Sequence, residues 1–299
     1  MKIKNIFYMV VILFLSHTNS FSQNDNGYDI KAPDYKYGKF YNVRSELMQR
    51  DFPILVFTPA DYAKSKTAWP VVYMLHGANN MPLTEEGLRK MYNLATRMQE
   101  MAEMFKVIIV APLVGMTFYL DAPLKPEVKV ASFISKELTA YMDANFNTEN
   151  NRIGRILCGF SMGGYGAVSL LCRFPDTFSV ALAKAGMLNP ATTIEDLKWD
   201  NVGHGLTEAL GNYFENSEHY HRNSCFNLIN HIRERKDISI VLSVGKEDFL
   251  YKTNYKFHLW LNELKVPHIY TEYEGGHKWD ANSLQNLLSN LQFFKSTQL

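Results

Sequence analysis

Cysteine is scarce in this chain: three residues in 299, at Cys158, Cys172 and Cys225. An odd count leaves at least one thiol unpaired, so a disulfide framework is not what stabilises the protein. Cys158 and Cys172 fall in apolar stretches and read as small buried hydrophobes. Charge of one sign is also missing. The formal net charge is +1, and no Lys/Arg block is present, which argues against nucleic acid as a partner. No internal repeat, low-complexity tract or Pro/Gly/Ser linker divides the chain, which argues against a repeat array or a string of tethered modules. A long hydrophobic run is absent too. The apolar stretch Ile6 to Leu15 is too short to span a membrane comfortably.

That stretch has a different meaning. Lys2 and Lys4 precede it, and Ser20-Phe21-Ser22 follows as a small-x-small cleavage signal. This is the layout of a secretory signal peptide, with cleavage expected after Ser22 and a secreted or periplasmic mature protein at 23–299. Taking two lysines and no acids from a chain of net charge +1 leaves −1. No stable membrane anchor is expected after cleavage.

What is present is a core and a rhythm. Hydrophobic residues make up 46% of the chain, enough for one large α/β domain. "KFYNVRSEL" and "DFPILVFTP" read as two strands with a short turn at Gln49-Arg50. From there strands alternate with helices: "WPVVYMLHG", then one helix over "LRKMYNLATRMQEMAEMF", then "KVIIVAP". The helix "VASFISKELTAYMDANF" follows, then the strand and helix of "RILCGFSMGGYGAVSLL". Next come strands "FSVALAKAG" and "ISIVLSVG", the helix "YKTNYKFHLWLNELK", the strand "HIYTEYEGG" and a helix over "SLQNLLSNLQFFK". Alternation of this kind predicts a mainly parallel sheet with helices on both faces. Functional residues are then expected on loops just past the carboxyl ends of strands. Residues 187–236 break the rhythm and read as a cap-like insertion over those strand ends.

The sharpest motif is Gly159-Phe160-Ser161-Met162-Gly163, a G-x-S-x-G between a strand-like and a helix-like run. Five residues with three fixed recur by chance, and an ordinary Gly-rich turn is the bland alternative. The flanking strand and helix favour a nucleophile elbow at Ser161. A serine hydroxyl needs a base, and the base needs a carboxylate to hold its tautomer. "LSVGKEDFLY" places Asp248 just after an apolar strand, with Glu247 as the alternative acid. "YEGGHKWD" places His277 just after the next strand. The order Ser161, Asp248, His277 is that of an α/β-hydrolase.

Acyl transfer also needs donors for an oxyanion. The amide of Met162, at the helix start, and the amide of Ala78, on the loop after "VVYML", are the expected pair, with His76 bracing that loop. His219 and His221 form an H-x-H without a third ligand at useful spacing, so no metal site is expected and no cofactor is required. Phe118 and Tyr119, Trp199 in the insertion, and Tyr251 are the candidate substrate-binding residues, because flat apolar rings suit an aromatic acyl group or a sugar face.

With these pieces in place, the chain resembles the esterase D-type branch of the α/β-hydrolases, which holds feruloyl and acetylxylan esterases, tributyrin-type esterases, S-formylglutathione hydrolases and mycolyltransferases. "VVYMLHGAN", "FISKELTAYMDANF", "GFSMGGYGAVSLLCRFPDTF", "GKEDFLY" and "YEGGHKW" carry the resemblance across residues 40–290. Two places depart from the family pattern: "DANSLQ" lacks a second tryptophan, and "LVGMTFYLDAP" keeps only Tyr119 in the place of the family's aromatic. The resemblance implies the α/β-hydrolase fold, a serine carboxylesterase with Ser161 as nucleophile, Asp248 as acid, His277 as base and Ala78 and Met162 as oxyanion donors, and no cofactor. Together with export, it implies an ester partner linked to carbohydrate, such as a feruloyl or acetyl group on plant polysaccharide. Acyl transfer of the mycolyl type, or thioester hydrolysis of the S-formylglutathione type, uses the same triad. A non-catalytic carbohydrate-binding homologue is the reading from a different class.

Overall fold

The computed structural model describes residues 38–92, 95–192, 200–280 and 282–291. The expected signal peptide and Trp199 lie outside the described residues. The described residues open with an antiparallel pair, β1 (Lys39–Ser45) and β2 (Arg50–Phe57), followed by β3 (Val71–Leu75). Helices α1 (Glu85–Met91) and α2 (Ala95–Phe105) lead to β4 (Ile108–Pro112). A helical run, α3, joins Val130–Ser132, a π-turn at Phe133–Leu138, and Thr139–Asn145. Then come β5 (Arg155–Phe160), α4 (Met162–Arg173) and β6 (Val180–Lys184). The long insertion supplies α5 (Asp200–Leu210), α6 (Tyr213–Arg222) and α7 (Cys225–Leu228). The last described elements are β7 (Ser239–Gly245), α8 (Tyr251–Glu263), β8 (Ile269–Tyr273) and α9 (Ser283–Leu288).

The eight strands form one sheet in the order β1-β2-β4-β3-β5-β6-β7-β8. From β4 to β8 every neighbouring pair is parallel. Parallel strands are covered on both faces, so both side-chain sets of β3 are apolar. Val71, Tyr73 and Leu75 join the core on one face, and Val72 and Met74 join the core on the other. Residues of α3, α4, the insertion and α8 fill the first core. Residues of α1, α2 and α9 fill the second.

One long helix was expected over 88–105; the described residues form two. Tyr92 leaves helical geometry at φ −107°, ψ 53°. Its buried hydroxyl donates towards the carbonyls of Met74 (2.8 Å) and Pro112 (3.1 Å), at the ends of β3 and β4. Satisfying those strand-end carbonyls outweighs one more helical turn. The insertion packs against α4, not as a loose loop. Tyr165 donates its hydroxyl to the Asn223 carbonyl at 2.8 Å, and Leu206, Leu210, Tyr220, Cys225 and Leu228 are buried in the same core. All three cysteines are free and buried, Cys158 and Cys172 as expected and Cys225 with them. Burial pushes the Cys172 thiol up to about 12.

The register brings Leu75, Gly159, Lys184 and Gly245 to one edge of the sheet. The loops that leave this edge carry His76, Ser161, Asp248 and His277. His76 is 2% exposed. The Val114 amide donates to its Nε2 at 3.1 Å, and its Nδ1 lies 2.7 Å from the Gly77 carbonyl. The Val114 amide can only donate, so Nε2 is bare and the proton of the neutral ring sits on Nδ1, towards the Gly77 carbonyl that the Asn79 side-chain amide also reaches at 3.0 Å. Burial lowers its pKa from 6.5 to about 4, and the Gly77 carbonyl opposes this in part.

The unfolded chain therefore binds a proton between about pH 6.5 and pH 4 that the folded chain does not. Stability should be full above pH 6.5 and fall as pH drops towards 4, by on the order of 3 kcal/mol from this residue. Urea unfolding at pH 7 and pH 4.5 checks this. His76→Gln should be the less stable protein at pH 7 but lose less on acidification; equal losses in both proteins would assign the effect to another group.

Candidate active site

Ser161 stands at the turn between β5 and α4 with φ 57° and ψ −117°. Residues with a side chain avoid this region, at a cost of order 1–3 kcal/mol. Three backbone hydrogen bonds hold it there. The Ser161 amide donates to the Lys184 carbonyl at 3.0 Å, while the Ser161 carbonyl accepts from Tyr165 (3.0 Å) and Met187 (3.3 Å). The turn also needs close approach. A Cβ placed on Gly163 would strike the carbonyls of Leu75 and His76, so glycine lets the helix start against the end of β3. The result lifts Ser161 Oγ off the sheet edge at the positive end of α4.

Asp248 follows β7 in a tight turn. Its amide bonds the Gly245 carbonyl at 3.1 Å, and its own Oδ1 accepts from the Leu250 amide at 2.8 Å. The carboxylate is fully buried. His277 follows β8 on a loop that turns at Gly275, where φ is +123°. The structure brings the three side chains together. His277 Nδ1 lies 2.9 Å and 3.1 Å from the two oxygens of Asp248, and His277 Nε2 lies 3.0 Å from Ser161 Oγ. An ionised carboxylate only accepts, so Nδ1 carries the proton and Nε2 is bare to accept from the serine hydroxyl. The alternative acid, Glu247, is exposed, and its amide is spent on the Gly275 carbonyl at 3.1 Å.

The loop after β3 runs alongside. A Cβ on Gly77 would lie 3.5 Å from Ser161 Cβ. His76 braces this loop against β4, and the Tyr119 hydroxyl donates to the His76 carbonyl at 2.9 Å. Met162 opens α4, so its amide has no acceptor within the helix. Among the described residues neither the Ala78 nor the Met162 amide donates to a protein group. Backbone amides next to a serine hydroxyl can take a developing oxyanion; Met162 directly follows Ser161, and Gly77, the residue before Ala78, lies beside it.

The candidate substrate residues fare differently. Phe118 and Tyr119 are both fully buried. Their φ angles are 51° and 55°, and the turn sends both rings inward, Tyr119 against Gly166 and Phe118 against Gly205. Both rings pack within the core, and the Tyr119 hydroxyl supports the loop after β3 from beneath. Tyr251 points along the outer edge: its hydroxyl bonds Glu272 Oε1 at 2.9 Å, and its ring stacks on Tyr255. His219, of the H-x-H pair, is engaged with the Leu210 carbonyl at 2.9 Å. The rings that do flank the site are others. Phe249 and Phe160 lie 4.3 Å and 4.5 Å from the His277 ring, and Trp279 lies 5.7 Å from Phe160. Phe249 is 37% exposed. Each stands within two residues of a triad member in sequence, and that adjacency was the one available signal.

Ser161, His277 and Asp248 thus stand in one hydrogen-bonded series at the end of the sheet. The family model described as putative esterase matches residues 45–291. An acetyl esterase from Caldicellulosiruptor saccharolyticus is 25% identical over 80% of this chain and 91% of its own length. Among solved structures, a ferulic acid esterase superposes with a TM-score of 0.67 at 20% identity, over 86% of this chain and 96% of that one. The S-formylglutathione hydrolase FrmB from Staphylococcus aureus gives 0.65 at 20% identity, over 86% and 98%. The sheet order and crossovers are those of the α/β-hydrolase fold. The chain belongs to the putative esterase family and is a carboxylic ester hydrolase.

Proposed function

We propose that this protein is an exported serine esterase that removes small acyl groups from carbohydrate through an acyl-enzyme on Ser161. The observation that carries the catalytic reading is the unbroken series from Ser161 Oγ to His277 to Asp248, at 3.0 Å and 2.9 Å. Ser161 Oγ attacks the ester carbonyl while its proton passes to His277 Nε2. The negative charge that develops on the carbonyl oxygen is met by the amides of Ala78 and Met162. His277 then gives the proton to the departing alcohol. Water attacks the acyl-enzyme by the same route in reverse order, and the acid leaves. Asp248 keeps the Nδ1 tautomer and stabilises the imidazolium. Export rests on the charged, apolar and small-x-small order of residues 1–22. The acetyl esterase relative supports a small acyl group.

The alcohol must lie beside His277, because that ring delivers the proton to it. Phe249, partly exposed against the same ring, is therefore placed to touch the alcohol portion. A flat apolar ring there suits the face of a sugar.

Ser161→Ala and His277→Ala should each reduce turnover of p-nitrophenyl acetate by roughly 10⁴-fold or more. Asp248→Asn should cost about 10⁴-fold, while Glu247→Gln should stay close to wild type. Steady-state kinetics check this. A near-wild-type Asp248→Asn enzyme with an inactive Glu247→Gln would reverse the assignment of the acid.

Specificity provides a second test. Phe249→Ala should lower kcat/KM on acetylated xylan by about 10-fold, equivalent to roughly 1.4 kcal/mol, and leave ethyl acetate nearly unchanged. Phe118→Ala should instead lower the melting temperature and slow both esters in equal proportion. The opposite pattern would place the substrate wall on the 118–119 loop.

A further inference from the structure

Lys184 is a buried lysine that the reaction does not use. It ends β6 and is 5% exposed. Burying an ammonium costs several kcal/mol unless partners replace its water. The partners are specific. Nζ donates to Ser283 Oγ at 2.5 Å and lies 4.4 Å from the centre of the Tyr273 ring. Ser283 Oγ in turn donates to Asp280 Oδ1 at 2.8 Å and accepts from the Asp280 amide at 3.0 Å. Burial lowers the Lys184 pKa, and the charges of Asp280 and Asp248 oppose that fall. Burial works against ionisation of Asp280, but the Ser283 hydroxyl, the Lys184 charge and two backbone amides overcome it and hold its carboxyl below the usual range. The ammonium is thus held by a hydroxyl and a ring face, with Asp280 one hydrogen bond beyond that hydroxyl.

The alternation of β6 explains why one residue reaches both halves of the site. Ala181 and Ala183 face the core that holds α4, whereas Val180 and Leu182 face the core that holds α9. With a period of two, Lys184 points its side chain to the α9 side, where Ser283 begins that helix. Its main chain serves the other half, because the Lys184 carbonyl accepts the Ser161 amide at 3.0 Å. Asp280 and Ser283 lie on the segment that leaves His277, three and six residues beyond it.

We propose that Lys184 is a positioning residue for the triad, tying the Ser161 elbow through its carbonyl to the His277 segment through its ammonium. The proposal rests on the reading of Ser161 and His277 as nucleophile and base. An apolar side chain at 184 would keep the elbow bond but remove the tie to the Asp280–Ser283 turn. His277 would then sample positions away from Ser161. Because misplacement of about 1 Å can cost 10²-fold, Lys184→Met should lower kcat by about that factor while KM stays within about threefold.

The test compares wild type, Lys184→Met and Ser283→Ala on p-nitrophenyl acetate. Low-field proton NMR of the His277 Nδ1 proton shared with Asp248 is recorded on each. Expected are a low kcat, a steady KM and a shifted or lost Nδ1 resonance in Lys184→Met, with the same changes in smaller measure in Ser283→Ala. Wild-type kcat and an unmoved resonance in Lys184→Met would overturn the proposal. Should Lys184→Met fail to fold, Ser283→Ala decides alone, and an unchanged kcat and resonance there would overturn it equally. Failure of the underlying reading looks different: wild type itself would show no ester turnover, and a fluorophosphonate would not label Ser161.

Discussion

The site depends on one close contact, the approach of the first turn of α4 to the end of β3. Gly163 leaves no space for a side chain against the carbonyls of Leu75 and His76. That closeness forces Ser161 into a left-handed backbone, and the hydrogen bonds to Lys184, Tyr165 and Met187 keep it there. The same approach sets Gly77, the residue before Ala78, beside Ser161. A helix start a few tenths of an ångström further out would relax the strain, but it would also separate the serine from its two candidate donors. Strain at the functional turn is offset by ordinary backbone bonding around it.

Around this turn the sheet edge gathers polar groups that would be costly if unpaired. His76, Asp248 and Lys184 are each 5% exposed or less. Each has named partners brought from elsewhere in the chain: Val114, just past β4, for His76, His277 for Asp248, and Ser283 at the start of α9 for Lys184. In surroundings of low dielectric, such pairs hold their partners firmly and penalise any rearrangement. The buried polar groups therefore give the loops their positions, while the two apolar cores supply most of the stability.

The aromatic residues show where composition misleads. Phe118 and Tyr119 sit on a loop after a strand, the usual place for recognition, yet both turn inward. The reason is backbone geometry: two successive residues at positive φ reverse the side-chain direction and send the rings into the core. Phe160, Phe249 and Trp279 reach the His277 surroundings because they are neighbours in sequence of residues whose own positions are tightly held. Tyr251, two residues past Phe249, already belongs to α8 and faces its outer edge.

Sequence alone determined the parallel α/β architecture, because apolar runs such as "VVYML" and "VIIVAP" can be buried only between two helical layers. It also determined the turn at Ser161 and the order of serine, acid and histidine, since glycines and strand ends leave local marks. The break at Tyr92, the inward 118–119 loop and the choice of Asp248 over Glu247 at His277 were decided by the tertiary structure. Each turns on which partner a side chain meets across the sheet. The link from Lys184 to Ser283, 99 residues apart, has the same origin. Near-neighbour chemistry is written in the chain, but a hydrogen bond between distant residues exists only once the strands have set their register.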